Sequence, residues 1–486
     1  MRRKQKFQHC RVADPVNVAR SLHRNVQMIL LALLLLPFSL TGCETNSTTE
    51  SGQPPNIIFV LSDDQGWCDV ETPNDPDNPR SCEPYLSTPN LTRLAESGMR
   101  FSQAYSPAPL CTPTRRSLQC GMTPARQRGT EFKSDFVWAG HSTIPQALKR
   151  IDERYRCAHF GKWGTQMNAG PEDAGYDVSD GLTGNVTGGM GVPGKPQTKF
   201  VNEIKDDPKL TFSITERANR FMEETVQAGR PFYLQVSYYA IHLALQTRRE
   251  TLQHYLDKGT PPRQMNEPLC AMVTDMDAGL GLLLDKIDEL GIRDNTYLFF
   301  AADNGGRDGF DESDDRRPLR NHPLRAAKQF LYEGGIRVPF IVRGPGIPSQ
   351  SHCAVPVALY DLLPTFAELA GDAGQMPETV DGGSIVNLLD DGKGTVERIF
   401  PGLVFHRPNC NFRKDISYST LRVGDDKLVI NWQTGAVELF DLSRDISEAN
   451  DLSKRMPEKK ERMYRQLIDY LTAVNAERPL EGALGF

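Results

Sequence analysis

The chain of 486 residues is 39 % hydrophobic and 24 % charged, enough apolar material for one large domain and a smaller one, each with its own core, and too much for disorder to be its main state. A formal net charge of −6 argues against a nucleic-acid binder, because a surface that tracks phosphates needs a basic face or stripe. An anionic substrate must then be captured by a local cluster of cations.

In chain order, the first element is an export signal. Arg2, Arg3, Lys4, Arg20 and Arg24 precede the apolar run Met28 to Leu40, which is too short to span a bilayer. The run ends in Leu40-Thr41-Gly42-Cys43, which is similar to a bacterial lipobox. On that reading residues 1–42 are a lipoprotein-type signal segment, and Cys43 is the lipid anchor of a periplasmic or cell-surface protein. Residues 43–55 are then a flexible polar tether. An ordinary signal peptide cut nearby is the alternative.

Four apolar runs then each end in a polar residue of interest, as happens at the carboxyl edge of a parallel sheet. Asn56 to Leu61 leads into Asp63-Asp64, Tyr155 to Phe160 into Gly161-Lys162, Phe232 to Tyr239 into His242, and Tyr297 to Ala302 into Asp303-Asn304. One edge of one sheet could gather all four. Helical patterns lie between them. Thr88-Pro89 supplies an N-cap and a first-turn proline for a helix that Gly98 closes. From Met272 the apolar positions Met276, Leu280, Leu283, Leu284, Ile287 and Leu290 recur at the helical period up to Gly291. The glycine-rich stretch Gly181 to Lys195 lacks the strand-to-helix context of a phosphate loop and reads as a mobile surface loop.

After about Gly371 the rhythm changes to short strand-like stretches at Gly402 to Phe405, Tyr418 to Val423, Lys427 to Trp432 and Val437 to Phe440, which favours an antiparallel sheet. Met463, Leu467, Tyr470, Leu471 and Val474 mark one face of a terminal helix able to cover it. The expected fold is α/β: residues 56–380 form a domain with a central, mostly parallel sheet covered by helices. Residues 381–486 form a smaller α+β subdomain with an antiparallel sheet and a terminal helix.

Asp63, Asp64, Asp303 and Asn304 offer three carboxylates and one carboxamide, a ligand type that suits calcium or magnesium. Either pair alone would more often cap a helix or sit solvated in a loop. Cys111 opens the run CTPTR, and Lys162 and Lys328 stand in motifs of their own.

Seven segments carry a resemblance: NIIFVLSDDQGW, TPNLTRLAESGMRFSQAY, CTPTRRSLQCG, AHFGKWG, AADNGG, LRAAKQFLYEGGIRVPF and ELFDLSRDISEANDL. In this order and spacing they resemble the type I sulfatases, from Asn56 to the terminal helix. The resemblance implies an alkaline-phosphatase-like fold with a small C-terminal antiparallel domain, and hydrolysis of sulfate esters such as those of sulfated carbohydrates. It implies one Ca2+ held by Asp63, Asp64, Asp303, Asn304 and the residue at 111. Cys111 would be oxidised to formylglycine by a formylglycine-generating enzyme that reads Pro113 and Arg115. The aldehyde hydrate offers two hydroxyls on one carbon, one to attack sulfur and one whose proton loss expels sulfate. Arg115 would hold the hydrate, Lys162 and Lys328 would grip the sulfate oxygens, and His242 would protonate the leaving alkoxide.

Three departures stand out. The family commonly reads GKWH, and its histidine assists elimination; here Gly164 takes that place. Either His141 or His322 fills the gap, or metal-assisted ionisation suffices, or the protein is slow or inactive. The prolines usual around the leaving-group histidine are missing at AIHLALQ, so His242 could also be a core histidine, as His159 in its apolar strand is expected to be. Cys120 replaces the usual threonine behind Cys111.

The arginines 307, 316, 317, 320 and 325, with DESDD among them, form either a solvated loop or a border of the pocket that meets further sulfates on a polymer. Of ten cysteines, setting aside Cys10, Cys43 and Cys111 leaves an odd number, so one stays free. Cys68 and Cys82 are the expected disulfide if one forms. Cys157 reads as an inert core thiol, and no CxxC pair points to zinc. Two rival functions share these features: a phosphodiesterase or phosphonate hydrolase on the same scaffold, and a non-catalytic sulfoglycan-binding surface protein.

Overall fold

A strand buried at every residue needs both faces of its sheet covered, and β1 (Asn56–Ser62) is such a strand. The structure, a computed structural model, describes residues 53–190, 202–309, 316–372, 374, 376–410 and 416–479. The expected signal segment, the expected anchor Cys43 and most of the expected tether lie outside these residues, as do residues 191–201 and 310–315. Among the described residues no helix is long and apolar enough to cross a membrane.

The central sheet also contains β2 (Met99–Phe101), β3 (Arg156–Gly161), β4 (Val178–Ser179), β5 (Phe232–Ser237), β6 (Thr296–Ala302), β7 (Phe340–Arg343) and β8 (Ser351–Cys353). Its order is β8-β2-β7-β6-β1-β5-β3-β4. The four strands that lead into the site residues, β6, β1, β5 and β3, are parallel neighbours at its centre. Side chains alternate between faces. Ile58 and Val60 pack with helices α1 (Pro89–Glu96), α4 (Thr211–Gln227) and α5 (Glu267–Glu289). Ile57, Phe59 and Leu61 pack with α2 (Cys111–Cys120), α3 (Ile144–Ile151) and α6 (Leu362–Leu369).

The start of α1 differs from expectation. Thr88 does not cap it; its hydroxyl accepts from the Glu71 amide at 2.9 Å. The free amides of Asn90 and Leu91 are instead held by Asp277 of α5, at 2.9 and 2.8 Å, so a tertiary carboxylate does the work of a local cap. At Gly98, just beyond the helix, a Cβ would stand 2.2 Å from the Val342 carbonyl. Close approach to β7 requires the glycine there. α5 starts earlier than its apolar period suggests, with Asn266 as N-cap.

Past residue 400, β9 (Leu403–Arg407), β10 (Tyr418–Val423), β11 (Asp426–Asn431) and β12 (Ala436–Asp441) form an antiparallel meander. Leu421, Leu428, Ile430 and Leu439 bury one face against Met463, Leu467 and Leu471 of the terminal helix α7 (Pro457–Ala473). The other face, with Phe405, Val429 and Phe440, packs on Tyr105, Leu331 and Ile336 of the larger domain.

The expected Cys68–Cys82 disulfide is absent: both are free, buried thiols. Each is satisfied separately, Cys68 Sγ by the Arg80 carbonyl at 3.4 Å and Cys82 Sγ by the Pro79 carbonyl at 3.4 Å. The stretch from Gly181 is not wholly a surface loop, since Thr183, Gly184 and Gly188 are buried against the site.

Candidate active site

Backbone hydrogen bonds extend the four central strands past their ends and fix the residues that follow. The Asp63 amide donates to Ala240 O at 2.9 Å, Ile241 to Asp63 O at 2.7 Å, Lys162 to Ser237 O at 2.7 Å and Asp303 to Ser62 O at 3.0 Å. Asp63, Asp64, Lys162, Asp303 and Asn304 therefore share one sheet edge, with His242 one turn further on. Two loops close over it. The Lys328 amide donates to Gly306 O at 3.0 Å and that of Gln329 to Pro109 O at 3.0 Å, which ties the lysine to the segment before Cys111. Cys111 is the first residue of α2, where unpaired amides and the helix dipole favour negative charge.

The side chains form one buried ionic network. Lys162 Nζ donates to Asp63 Oδ2, and Lys328 Nζ to Asp64 Oδ1. Arg115 grips Asp303 Oδ2 through Nε at 3.0 Å and Nη2 at 2.8 Å, and its Nη1 donates to the Lys162 carbonyl. Asn304 Nδ2 donates to Asp64 Oδ1 at 2.9 Å, and the Asp64 amide to Asp303 Oδ1 at 3.1 Å.

Burial opposes charge at every one of these groups, and the partners decide the outcome. Asp63 and Asp64 stay below the usual carboxylate range because Lys162 and Lys328 outweigh desolvation. Asp303 is pushed up to about 6 by burial and by the charge of Asp63, against the pull of Arg115. Burial lowers His242 to about 4, so its ring is neutral at ordinary pH. Its Nδ1 lies 2.8 Å from the Leu243 carbonyl and must carry the proton there, which leaves Nε2 bare, 3.9 Å from Asp64 Oδ2.

Two observations bear on a metal. Asp63 Oδ1 and Asn304 Oδ1 are buried and accept no hydrogen bond, a costly state unless something else satisfies them. Asp63, Asp64 and His242 also each offer a ligand atom within 4.8 Å of the others. An oxygen-rich set with two open acceptors and mutually repelling carboxylates fits a hard divalent cation. His242, expected as a proton donor or a core histidine, offers a ligand atom as well.

The family model for the sulfatases matches residues 55–372. The chain belongs to the sulfatase family. It is 26 % identical to a sulfatase of Formosa agariphila, covering 89 % of this chain and 90 % of that one. It is 28 % identical to the N-acetylgalactosamine-6-sulfatase of Canis lupus familiaris, over 76 % of this sulfatase and 71 % of that one. Among solved structures, Ps i-CgsB in complex with k-i-k-neocarrahexaose superposes with a TM-score of 0.67 at 26 % identity, over 86 % of this chain and 93 % of that chain. The sulfatase is thus a sulfuric ester hydrolase on the alkaline-phosphatase-like fold.

The departures also have a structural account. Position 164 has φ near 121°, and a Cβ there would stand 3.0 Å from Met167 Cγ. The backbone of this sulfatase is shaped around the glycine. Among the described residues no hydrogen bond joins either histidine considered as a substitute to the site: His141 stacks on Phe136 at 5.2 Å between ring centroids, and the His322 carbonyl accepts from Arg263 and Cys68. His159 is a packed residue, held to Ser237 Oγ at 3.1 Å and edge-on to Trp163 at 5.0 Å. Of the arginines after Asp303, Arg320 is buried, paired with Asp69 and bonded to the Asp64 carbonyl at 3.0 Å, so it braces the site. Sequence reasoning missed that brace, and it missed Lys209, which no motif marks.

Proposed function

We propose that this sulfatase hydrolyses a sulfate ester on a carbohydrate, with formylglycine made from Cys111 as nucleophile and one calcium ion held by Asp63, Asp64, Asp303, Asn304 and the residue at 111. The reading rests above all on one observation: Lys162, Lys328 and Arg115 are held by Asp63, Asp64 and Asp303 in one buried network, at the edge where one carboxylate and one carboxamide oxygen lack partners. The names of the relatives support a sugar substrate. When present, the aldehyde hydrate supplies the attacking hydroxyl and calcium a Lewis acid for a sulfate oxygen.

The remaining work falls to the chain. Lys162 and Lys328, steered by Asp63 and Asp64, offset charge on the sulfate oxygens as the S–O bond breaks. Arg115, locked by Asp303 and the Lys162 carbonyl, orients residue 111. His242 Nε2 can take a proton in the attack and hold it for the leaving oxygen. With Gly164 in place of a histidine, no imidazole from that position can assist the second half of the reaction. Export and a lipid anchor at Cys43, and maturation by a formylglycine-generating enzyme, complete the proposal from sequence.

Two measurements test it: turnover of aryl sulfate against aryl phosphate and phosphonate esters, and the mass of the Cys111 peptide from the native host. The expected results are a sulfate preference and the aldehyde. A strong phosphate or phosphonate preference would favour the hydrolase rival, and unconverted thiol throughout would favour a binding protein.

A further inference from the structure

Lys209 is 1 % exposed, as closed off as Lys162 at 2 %. Its ammonium makes one hydrogen bond among the described residues, to the Gly188 carbonyl at 2.6 Å. An ammonium with three donors is seldom buried on one carbonyl alone. Its backbone is held in the left-handed region, φ 56° at Lys209 and 55° at Leu210, which is unfavourable for residues other than glycine. Gln246 Oε1 accepts its amide at 2.9 Å. The Lys209 side chain is therefore held in this place on an unfavourable backbone.

That place adjoins the active site through Tyr239, whose carbonyl accepts from the His242 amide at 2.9 Å. Burial lowers the Lys209 ammonium to about 7, and the charges that act on it are those of Asp63, Lys162, Asp64 and Glu203. The loop that carries its acceptor presses on Tyr239, where a Cβ at Gly188 would stand 2.3 Å from the ring, and Tyr239 in turn feels Lys162. In the same turn, Asn185 Oδ1 is buried without a partner. The site thus sets Asp63, Asp64 and Asp303 against Lys162, Lys328, Arg115 and Lys209. Lys162, Lys328 and Arg115 each have a carboxylate partner in this network, whereas the Lys209 ammonium has only the Gly188 carbonyl among the described residues.

We propose that Lys209 binds a second anionic substituent of the substrate, a sulfate or a carboxylate beside the ester that is cleaved, so that the preferred substrate is a polyanionic sugar. The inference rests on the sulfatase reading above and names its substrate class. Lys209 is then a specificity residue, one that the recognition of a neutral-bodied aryl sulfate would not need.

The test uses the mature, formylglycine-bearing enzyme and three sulfated oligosaccharide series: one sulfate per sugar, a second sulfate on the same sugar, and a neighbouring uronate. For the wild type, kcat/KM on a doubly charged series should exceed that on the singly charged one by about tenfold or more. Lys209→Gln should collapse this ratio toward one, chiefly through KM, and Lys209→Arg should restore much of it. Whichever doubly charged series shows the effect identifies the anion. Equal rates on all three series in the wild type, or an unchanged ratio in Lys209→Gln, would overturn the role of Lys209 alone. If Lys209→Gln does not fold, the wild-type ratios and Lys209→Arg decide. Absence of turnover on every sulfate ester would instead overturn the sulfatase reading.

Discussion

The protein buries two charge clusters, and they are built on opposite principles. At the seam between the large domain and the antiparallel sheet, Lys427 Nζ lies 2.8 Å from both Glu333 Oε1 and Glu448 Oε1, the second an ion pair outside hydrogen-bond geometry. Glu333 Oε2 accepts from Tyr105 at 2.7 Å and Arg337 at 3.3 Å, and Glu448 Oε2 from the Glu333 amide at 2.7 Å. Each carboxylate there has its cation within the fold. At the sheet edge, by contrast, Asp63 Oδ1 and Asn304 Oδ1 stay open and the Lys209 ammonium has one carbonyl partner among the described residues. A closed ledger of charge holds a structure together, and an open one waits for ligands.

Four experiments press on that contrast. The largest effect belongs to Cys111→Ser: kcat should fall by at least about 10³-fold, with the melting temperature within about 2 °C of wild type. Full activity of that variant, in a host that leaves serine unconverted, would reject the nucleophile. Next, EDTA should bring turnover to background and lower Tm by about 5 °C, with calcium restoring both. If neither quantity moves, the oxygen cluster at the sheet edge holds no cation.

Lys427→Met attacks the closed cluster and should cost about 3–5 kcal/mol in urea unfolding, because it leaves Glu448 without its cation and Glu333 with Arg337 alone. A loss below about 1 kcal/mol would mean that solvent already screens the seam. The smallest effect concerns His406 in β9, whose ring hydrogen-bonds Ser419 Oγ at 2.7 Å and the Glu477 carbonyl at 2.7 Å. Burial lowers it to about 4, so the unfolded chain takes up the proton first on acidification. Its contribution is complete above pH 6.5 and is lost as pH falls through 4. Between pH 7 and 4.5 the wild type should lose about 2 to 3 kcal/mol that His406→Gln keeps. An equal loss in both proteins would place the acid sensitivity elsewhere.

Much of this was legible in the chain. Tyr418–Val423 is the strand expected, and the neighbouring meander strands fall within a few residues, because apolar alternation between turns is a local signal. The four apolar runs ending at Asp63, Lys162, His242 and Asp303 are the central strands, since fully buried strands must be apolar on both faces. The Cys68–Cys82 bridge failed as an expectation because spacing in a loop says nothing of where each thiol points.

Residue types and their local periods determined the class of fold, the polar residues at the strand ends and the family, since these depend on side-chain chemistry and on contacts within a few residues. The order β6-β1-β5-β3, the pairing of Arg115 with Asp303 rather than with a ligand, the brace of Arg320 on Asp69 and the burial of Lys209 were decided only by tertiary packing. Each joins residues dozens to hundreds of positions apart, and the desolvation and Coulomb forces that govern them exist only once the chain has closed around them.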